Sequence, residues 1–588
     1  MRFVRALAAA LALALAGCAS APGHEAPAAP EAAGAWVDKP GWRAGRHMVA
    51  AAHPLAVQAG LLMLREGGSA VDAAIAVQMM LTLVEPQSSG IGGGLFLMHF
   101  DGSRVQAFDG RETAPAEAGP DLFLRGGRTM AFRDALVGGR SVGTPGVLRA
   151  LEAAHRQHGR LPWARLFEPA IAAAERGVPV GARLALLLRD ASAARLGEDD
   201  EARRIFFDAA GEPLRERATL RNPALADTLR RIAQGGADVF YRGEIARDIV
   251  AKVRGHARNP GLLAEQDLMR YRARERTPLC FEHRARRICG MPPPSSGTLA
   301  IAQVLGLLAE RDLAALSPVP APWGLEPAPE AVHLISEAER LAFADRNRYV
   351  ADPDFVTVDS AAMLDPDYLH RRAALIGAKS MGRAEAGRPR GATMTLADDR
   401  SPELPSTTQI AVVDGFGNAL AMTSTIENGF GAQIMVRGFL LNNQLTDFSF
   451  VPEENGAPVA NRVQAGKRPR SSMAPLLVFE RDSGAFEMAL GSPGGAAIIA
   501  YVAKSLIGVL DWQLDLQRSI ALPNFGSRNG PTELEQGRAS EALQRALRER
   551  GHEIRIQPLT SGAQGIQRAG RGWFGAADPR REGTAAGD

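Results

Sequence analysis

Residues 405–425 read PSTTQIAVVDGFGNALAMTST and contain two runs of β-branched and small apolar residues, 408–413 and 419–425. The Asp-Gly-Phe-Gly-Asn segment between these runs consists of residues that favour turns. The pattern therefore predicts a β-hairpin. A symmetric hairpin that pairs position 414 with position 418 also pairs Thr407 with Thr425, so we expect their Cβ atoms to lie roughly 5 Å apart. Two hydroxyl groups would then meet at the open end of the hairpin.

The same stretch resembles the start of the small subunit of the γ-glutamyltranspeptidases (glutathione hydrolases), a family of N-terminal-nucleophile hydrolases. The resemblance implies that the precursor cuts itself between Ser406 and Thr407, and that Thr407 is the catalytic nucleophile. A hydroxyl is a weak nucleophile without a base, whereas an α-amino group titrates near ~8 and can accept the proton. Cleavage would give Thr407 such an amino group, and we expect Thr425 to orient the Thr407 hydroxyl by hydrogen bonding.

Other motifs match the groups with which this family holds the two charged ends of a γ-glutamyl substrate. Arg111, in Gly-Arg-Glu-Thr-Ala-Pro, matches the arginine that binds the α-carboxylate, and Ser471 and Ser472 match a serine pair that donates to the same group. A guanidinium fork suits a planar carboxylate. Gln444 and Asp447, in Asn-Asn-Gln-Leu-Thr-Asp, match the residues that receive the α-ammonium group.

The resemblance also assigns the oxyanion hole and shows one departure from the family pattern. Gly494 and Gly495, in Gly-Ser-Pro-Gly-Gly, match the glycines whose backbone N–H groups stabilise the tetrahedral intermediate. Loss of one such donor can cost ~3 kcal/mol. Many members carry asparagine where this chain has Glu427. A second acid beside Asp447 suits the cationic amine of a γ-glutamyl group. The acyl group of a glutaryl-amide substrate lacks that amine, so two buried acids facing an empty place would be costly. We therefore favour a γ-glutamyl substrate.

The fold and the domain organisation are likewise implied by the resemblance. It predicts an α+β fold, a four-layer αββα sandwich around two stacked antiparallel sheets. A large subunit (46–406) and a small catalytic subunit (407–588) would form it jointly from one precursor. Residues 380–404 are polar and rich in Arg, Gly, Pro and Asp, which predicts an exposed strip suited to a cleavage site. We expect the last dozen residues to be frayed.

The N-terminus has the features of a bacterial export signal. Arg2 and Arg5 precede a short apolar stretch that ends in Leu-Ala-Gly-Cys18, which resembles a lipoprotein cleavage box. The stretch is too short to cross ~30 Å of hydrocarbon. We predict a signal peptide (1–17), lipidation of Cys18 and an Ala/Pro-rich tether (18–45). The protein would be exported and periplasmic, and held at the bacterial outer membrane only through the lipid.

An exported protein can form disulfides, which bears on Cys280 and Cys289. The segment between them can fold back as a hairpin and bring the sulfur atoms within bonding range. We expect a disulfide, with two buried free thiols as the alternative.

Composition and motifs exclude several classes of partner. The 588-residue chain has a formal net charge of only +3 and no basic block interleaved with aromatic residues, which argues against nucleic acid. It contains neither His-Glu-x-x-His nor paired Cys-x-x-Cys motifs, so no metal and no cofactor is expected.

The predicted function is that of a γ-glutamyltransferase and glutathione hydrolase. It would pass the γ-glutamyl group of glutathione or related compounds to water or to an amino-acid or peptide amine. A glutaryl-amide (cephalosporin-type) acylase of the same fold is one alternative. A serine esterase is another, because Gly139-Arg140-Ser141-Val142-Gly143 fits the Gly-x-Ser-x-Gly pattern with Ser141 as nucleophile. A lipid-anchored binding protein that uses Arg111 and Asp447 to hold an amino acid is a third.

Overall fold

The computed structural model describes residues 36–190, 193, 195–392, 395–401, 404 and 406–588. The predicted signal peptide, Cys18 and the tether up to residue 35 lie outside these described residues. Among the helices in the described ranges, none is both long enough and apolar enough to cross a membrane.

Two antiparallel sheets of seven strands each form the centre of the described structure. In chain order the strands are β1 (Trp42–Ala44), β2 (Met48–Ala51), β3 (Gly94–Phe100), β4 (Val105–Gly110), β5 (Arg274–Arg276), β6 (Leu279–His283), β7 (Arg286–Gly290), β8 (Thr408–Val413), β9 (Ala419–Thr425), β10 (Leu476–Glu480), β11 (Phe486–Gly491), β12 (Gln564–Ala569), β13 (Gly572–Ala577) and β14 (Thr584–Gly587). The first sheet has the order β14-β2-β8-β9-β3-β4-β5, and the second has the order β1-β13-β12-β11-β10-β7-β6.

The predicted hairpin occupies the middle of the first sheet as β8 and β9. Thr408 pairs with Ser424 and Val413 pairs with Ala419, which is the register expected from the turn. Every residue of both strands is buried, so each face of this sheet must be covered by another layer.

Helices supply the two outer layers. The helices of eight or more residues are α1 (Pro54–Arg65), α2 (Ala70–Val84), α3 (Val147–His158), α4 (Glu168–Arg176), α5 (Pro223–Gly235), α6 (Glu244–Arg254), α7 (Gly297–Leu307), α8 (Pro329–Tyr349), α9 (Pro366–Ala373), α10 (Ile498–Leu510) and α11 (Glu541–Glu549). Ser69 begins α2 with a capping box, in which its hydroxyl and the Asp72 carboxylate each accept the other residue's backbone N–H.

Alternation along β8 shows how the layers stack. Ile410 and Val412 lie in one core with residues of α1–α6. Ala411 and Val413 lie in a second core that holds the inner face of the other sheet and residues of α7–α11. Because successive strand residues point to opposite faces, the arrangement is helix, sheet, sheet, helix, and the predicted four-layer αββα fold is confirmed.

Both predicted fragments contribute to each sheet. In the first sheet β8 pairs with β2 and β9 pairs with β3, so residues after 407 are hydrogen-bonded to residues before 406 along two strand pairs. In the second sheet β10 pairs with β7. A cut before Thr407 would therefore leave the two fragments held together by continuous sheets.

Two predictions about the ends of the folded body are wrong. Strand β1 (Trp42–Ala44) pairs with β13, so the folded body begins before residue 46, within the range predicted for the tether. Strand β14 (Thr584–Gly587) pairs with β2 and closes the edge of the first sheet, so the C-terminus is not frayed. The small residues of β14 carry little strand signal of their own, and the pairing is provided by the exposed edge of β2.

The edge of the second sheet carries a disulfide. Cys280 and Cys289 face each other on β6 and β7, and their sulfur atoms are bonded, with 4.1 Å between the Cα atoms. The hairpin that the sequence predicts between them is present.

Candidate active site

Thr407 lies immediately before β8, with its side chain buried against the end of β9. Its hydroxyl donates to Oγ1 of Thr425 across 3.4 Å. The Thr425 hydroxyl donates in turn to the carbonyl oxygen of Ser406 at 2.6 Å and accepts the backbone N–H of Glu427 at 2.9 Å. The sequence predicts only the contact between the two threonines. The structure adds that Thr425 also holds the carbonyl of the predicted scissile bond.

Two residues that the sequence analysis did not single out contact Ser406 and Thr407 on either side of the predicted scissile bond. The Ser406 hydroxyl donates to the carbonyl of Gln87 at 2.7 Å. The buried guanidinium of Arg581 donates to the carbonyl of Thr407 across 3.4 Å. Gln87 and Arg581 are 319 and 174 positions away from their partners, and no local pattern reveals such contacts.

The predicted oxyanion glycines form the turn between β11 and α10. Gly494 has φ 141° and Gly495 has φ 56°, which glycine adopts without strain. A Cβ at Gly494 would lie 2.6 Å from the Tyr501 ring. A Cβ at Gly491, at the end of β11, would collide with the Gln409 side chain, which places this end of β11 against β8. The turn also leads into the N-terminus of α10, whose dipole favours negative charge.

The guanidinium of Arg111 is completely buried and joined to the predicted ammonium-binding residues. It donates to Asp447 Oδ2 and to the carbonyls of Pro469 and Arg470 at 3.1 and 2.9 Å. Gln444 donates to the same Asp447 oxygen at 2.7 Å. The structure thus brings Arg111, Gln444 and Asp447 into one cluster, and the two carbonyls tie it to the segment that contains the predicted serine pair.

Ser471 and Ser472 follow directly after these carbonyls. Ser472 Oγ accepts a hydrogen bond from Arg346 at 2.6 Å, and the Ser471 carbonyl accepts both the backbone N–H and the hydroxyl of Ser296, at 2.6 and 2.8 Å. Arg346 on α8 and Ser296 are further residues that the sequence analysis did not assign to the site. They fix the serine pair from the side of the large subunit.

Two buried acids in this region have oxygens without hydrogen-bond partners among the described residues. One Glu427 oxygen accepts from Asn443, whereas Oε1 has no partner. Burial, followed by the negative charge of Asp447, raises the pKa of Glu427 well above its usual range. Neither oxygen of Glu112 has a hydrogen-bond partner within the described ranges, although Oε2 lies 3.8 Å from a guanidinium nitrogen of Arg111, and burial raises the pKa of Glu112 to about 8. Gln444 Oε1 is also without a partner in the described part of the chain.

Ser141 does not belong to the site, and the structure contradicts the esterase hypothesis. It is fully buried in a short helix, Gly139–Ser141, and its hydroxyl donates to the carbonyl of Leu136 at 2.6 Å. A nucleophilic serine needs a base that accepts its proton and a path for the substrate. The Ser141 hydroxyl donates to the backbone carbonyls of Leu136 and Gly138, neither of which can act as such a base, so the Gly-x-Ser-x-Gly match is a structural turn.

Three buried side chains could hold a metal ion, namely His333, Glu337 and His552. In this structure their atoms are engaged in hydrogen bonds. His333 Nε2 lies 2.8 Å from the Gly377 carbonyl, which can only accept, so His333 Nδ1 accepts from His552 Nε2 at 2.8 Å. His552 Nδ1 accepts from Thr532 at 2.7 Å. Hydrogen bonds therefore already engage these ring nitrogens, and they join residues from both sides of position 406.

The fold and the site together define an N-terminal-nucleophile hydrolase, with the threonine at the start of a central strand of a four-layer sandwich. The gamma-glutamyltranspeptidase family model matches residues 56–588. The chain belongs to the γ-glutamyltranspeptidase family, as the sequence motifs predict.

Individual relatives agree with this assignment. The chain is 35% identical over 558 residues to the glutathione hydrolase proenzyme of Bacillus subtilis (strain 168), covering 92% of this chain and 91% of the relative. It is 35% identical over 552 residues to the glutathione hydrolase proenzyme of Escherichia coli (strain K12), with the same coverage. The crystal structure of cephalosporin acylase from Bacillus halodurans superposes with a TM-score of 0.81 at 27% identity, covering 94% of this chain and 97% of that one.

Proposed function

We propose that this protein is a glutathione hydrolase and γ-glutamyltransferase that matures by cutting itself between Ser406 and Thr407. The observation that carries the proposal is the contact between the Thr425 hydroxyl and the Ser406 carbonyl, beside the Thr407 hydroxyl. Nucleophile, carbonyl and oxyanion donor are the three groups that an intramolecular acyl transfer requires.

Maturation begins when Thr407 Oγ1 attacks the carbonyl carbon of Ser406. The peptide C–N bond breaks, the nitrogen takes the hydroxyl proton, and an ester joins Ser406 to the Thr407 oxygen. Water then hydrolyses the ester, which leaves a carboxylate on Ser406 and a free α-amino group and hydroxyl on Thr407. The products are a large subunit that ends at residue 406 and a small subunit, 407–588.

The mature enzyme uses the same hydroxyl on the substrate. Thr407 Oγ1 attacks the γ-carbonyl of the donor while its α-amino group accepts the proton and passes it to the departing amine. The backbone N–H groups of Gly494 and Gly495 stabilise the oxyanion. The acyl-enzyme then reacts with water, or with the amine of an amino acid or peptide.

Recognition of the γ-glutamyl group follows from the charges around Arg111. Arg111, Ser471 and Ser472 bind the α-carboxylate. Glu427, Asp447 and Gln444 accept the α-ammonium group, whose three N–H donors suit the oxygens of Glu427 and Gln444 that lack partners. An acyl group without an amine would leave these buried oxygens unsatisfied, which is costly.

A glutaryl-amide acylase is the second candidate, and the similarity to a cephalosporin acylase favours it. The two candidates differ by one amine on the donor. Hydrolysis of γ-glutamyl-4-nitroanilide should therefore exceed that of glutaryl-4-nitroanilide by at least tenfold in kcat/KM. The reverse preference would establish the acylase.

We further propose that the enzyme is exported and lipid-anchored at Cys18 after removal of residues 1–17. This part of the proposal rests on the sequence motif alone. Metabolic labelling with a radioactive fatty acid tests it, because Cys18→Ser should abolish the label and release the protein from the membrane fraction.

The central experiment is denaturing electrophoresis of the purified protein with N-terminal sequencing. Wild type should give two fragments, the smaller of which begins Thr-Thr-Gln-Ile, and Thr407→Ala should remain a single 62.4 kDa chain less its signal. Thr408→Ala is the matched control, since the Thr408 hydroxyl faces Glu85 across 3.4 Å and not the scissile bond. Active wild type without a chain that begins at Thr407 would refute the mechanism.

A further inference from the structure

A cavity of about 310 Å³ lies between α8, the segment around residues 398–401 and the loop that precedes residue 533. Its volume is in the range of sites that hold small molecules. The wall includes Ala496, directly after the predicted oxyanion glycines, and Arg346, which donates to Ser472. The cavity therefore lies next to the predicted oxyanion turn and next to a residue that holds the predicted serine pair.

The wall of this cavity is strongly cationic. Five arginines contribute to it, namely Arg346, Arg383, Arg400, Arg528 and Arg555. Three acids face them, and each is already engaged. Asp398 pairs with Arg348 at 2.8 Å, and Asp399 pairs with Arg470 at 2.9 Å. These two arginines do not line the cavity. Glu533 pairs with Arg528, which does line it, at 2.6 Å.

Arg383 and Arg555 remain as the cations available to a ligand. Arg400 pairs with Glu454 at 3.0 Å, outside the cavity wall. Arg383 and Arg555 are exposed, and no carboxylate of the described residues lies in ion-pair distance of either. A guanidinium recognises a carboxylate through paired N–H donors.

We propose that Arg383 and Arg555 bind a carboxylate on the leaving-group and acceptor side of the reaction. This inference rests on the proposed function. The amine that leaves glutathione belongs to a dipeptide, whose terminal carboxylate can reach ~7 Å from the scissile amide. An acceptor dipeptide enters the same space with its own carboxylate. The wall carries these cations and continues to the oxyanion turn through Ala496, so the enzyme should prefer amines that carry a carboxylate.

Two donors that differ only in the leaving group test this preference. γ-Glutamyl-3-carboxy-4-nitroanilide and γ-glutamyl-4-nitroanilide share the acyl group, and only the first carries a carboxylate. The variant is Arg383→Gln with Arg555→Gln. The control is Arg217→Gln with Arg571→Gln, which removes the same charge from exposed positions that do not line the cavity.

Wild type should favour the carboxylated anilide. We expect the variant to lose roughly 3- to 30-fold in kcat/KM on it, as for two solvated ion pairs, and to stay within twofold on the neutral anilide. The control should change neither ratio. Equal losses on both anilides, or no loss, would overturn the donor side of the inference.

A second arm separates the two sources of the carboxylate. Transfer to glycylglycine is compared with transfer to glycylglycine amide, which lacks the carboxylate. Dependence on the two arginines in either arm supports the proposal and identifies the leaving group, the acceptor or both as the ligand, whereas independence in both arms refutes it. Failure of the proposed function looks different, because the wild type would then leave the neutral γ-glutamyl anilide intact.

Discussion

The Thr425 hydroxyl should control the rate of self-cleavage, because it donates to the Ser406 carbonyl at 2.6 Å. When Thr407 attacks, this oxygen becomes an oxyanion and the hydrogen bond becomes charge-assisted. Removing one donor from an oxyanion typically costs ~3–4 kcal/mol, or about 10²–10³ in rate. Thr425→Val keeps the shape of the side chain, so we expect it to slow cleavage by that factor. Thr425→Ser keeps the hydroxyl and should retain most of the rate.

Valine at this position also affects the stability of the fold. Thr425 Oγ1 accepts the backbone N–H of Glu427 at 2.9 Å, and an unpaired buried N–H costs ~1–3 kcal/mol in the free energy of unfolding. Thr423→Val is the matched control. Thr423 is buried two residues earlier on the same strand, and its hydroxyl donates to Gln409 at 2.6 Å without touching Ser406.

The assay follows the uncut precursor over time by denaturing electrophoresis after synthesis in a cell-free system, with thermal unfolding of each variant in parallel. We expect Thr423→Val to lose stability and cut at the normal rate, and Thr425→Val to lose both stability and rate. A Thr425→Val variant that cuts as fast as wild type would refute the role assigned to this hydroxyl. An equally slow Thr423→Val variant would also refute it, because the effect would then come from general destabilisation.

Three further predictions concern other parts of the molecule. Asp447→Asn should still cut before Thr407 but raise KM for a γ-glutamyl anilide about tenfold or more, since a hydrogen bond to a charged group contributes ~1.5–3 kcal/mol; an unchanged KM in steady-state kinetics would contradict the assigned role. Replacing Cys280 and Cys289 by serine should lower the free energy of unfolding in urea by about 2.5 kcal/mol, as for a loop of this length, without changing kcat. Burial lowers the pKa of His552 to about 4, so the neutral ring stabilises the fold above pH ~6.5 and roughly 1–2 kcal/mol is lost as the pH falls towards 4. His552→Gln should flatten this pH dependence in thermal unfolding, and an unaltered slope would exclude the ring as its source.

Local patterns in the sequence predicted the central hairpin and its register. Strand periodicity and turn residues act over a few positions, and pairing across a short turn follows from counting. Interactions of the same short range begin α2, whose capping box joins residues three positions apart. Family motifs predicted the fold, and they predicted that Arg111 and Asp447 bind the charged ends of the substrate. They could not supply the direct contact between these two residues, which are 336 positions apart.

Errors in the sequence analysis arose where the surroundings of a segment determine its structure. Residues 584–587 have weak strand propensity, yet they pair with β2 because its edge would otherwise remain open. Ser141 fits a nucleophile motif, yet its neighbours bury it and its hydroxyl donates a hydrogen bond to a backbone carbonyl. A motif specifies residue types and spacing, and it does not specify access to solvent.

By itself, the sequence determined the family, the hairpin and the threonine immediately before its first strand, since these depend on short-range order along the chain. Only the tertiary structure decided which oxygen Thr425 holds, which buried acids lack partners, and which arginines surround the cavity next to the oxyanion turn. Those features depend on how two sheets and their helices pack. Packing brings together residues that are hundreds of positions apart and sets which polar groups are removed from water.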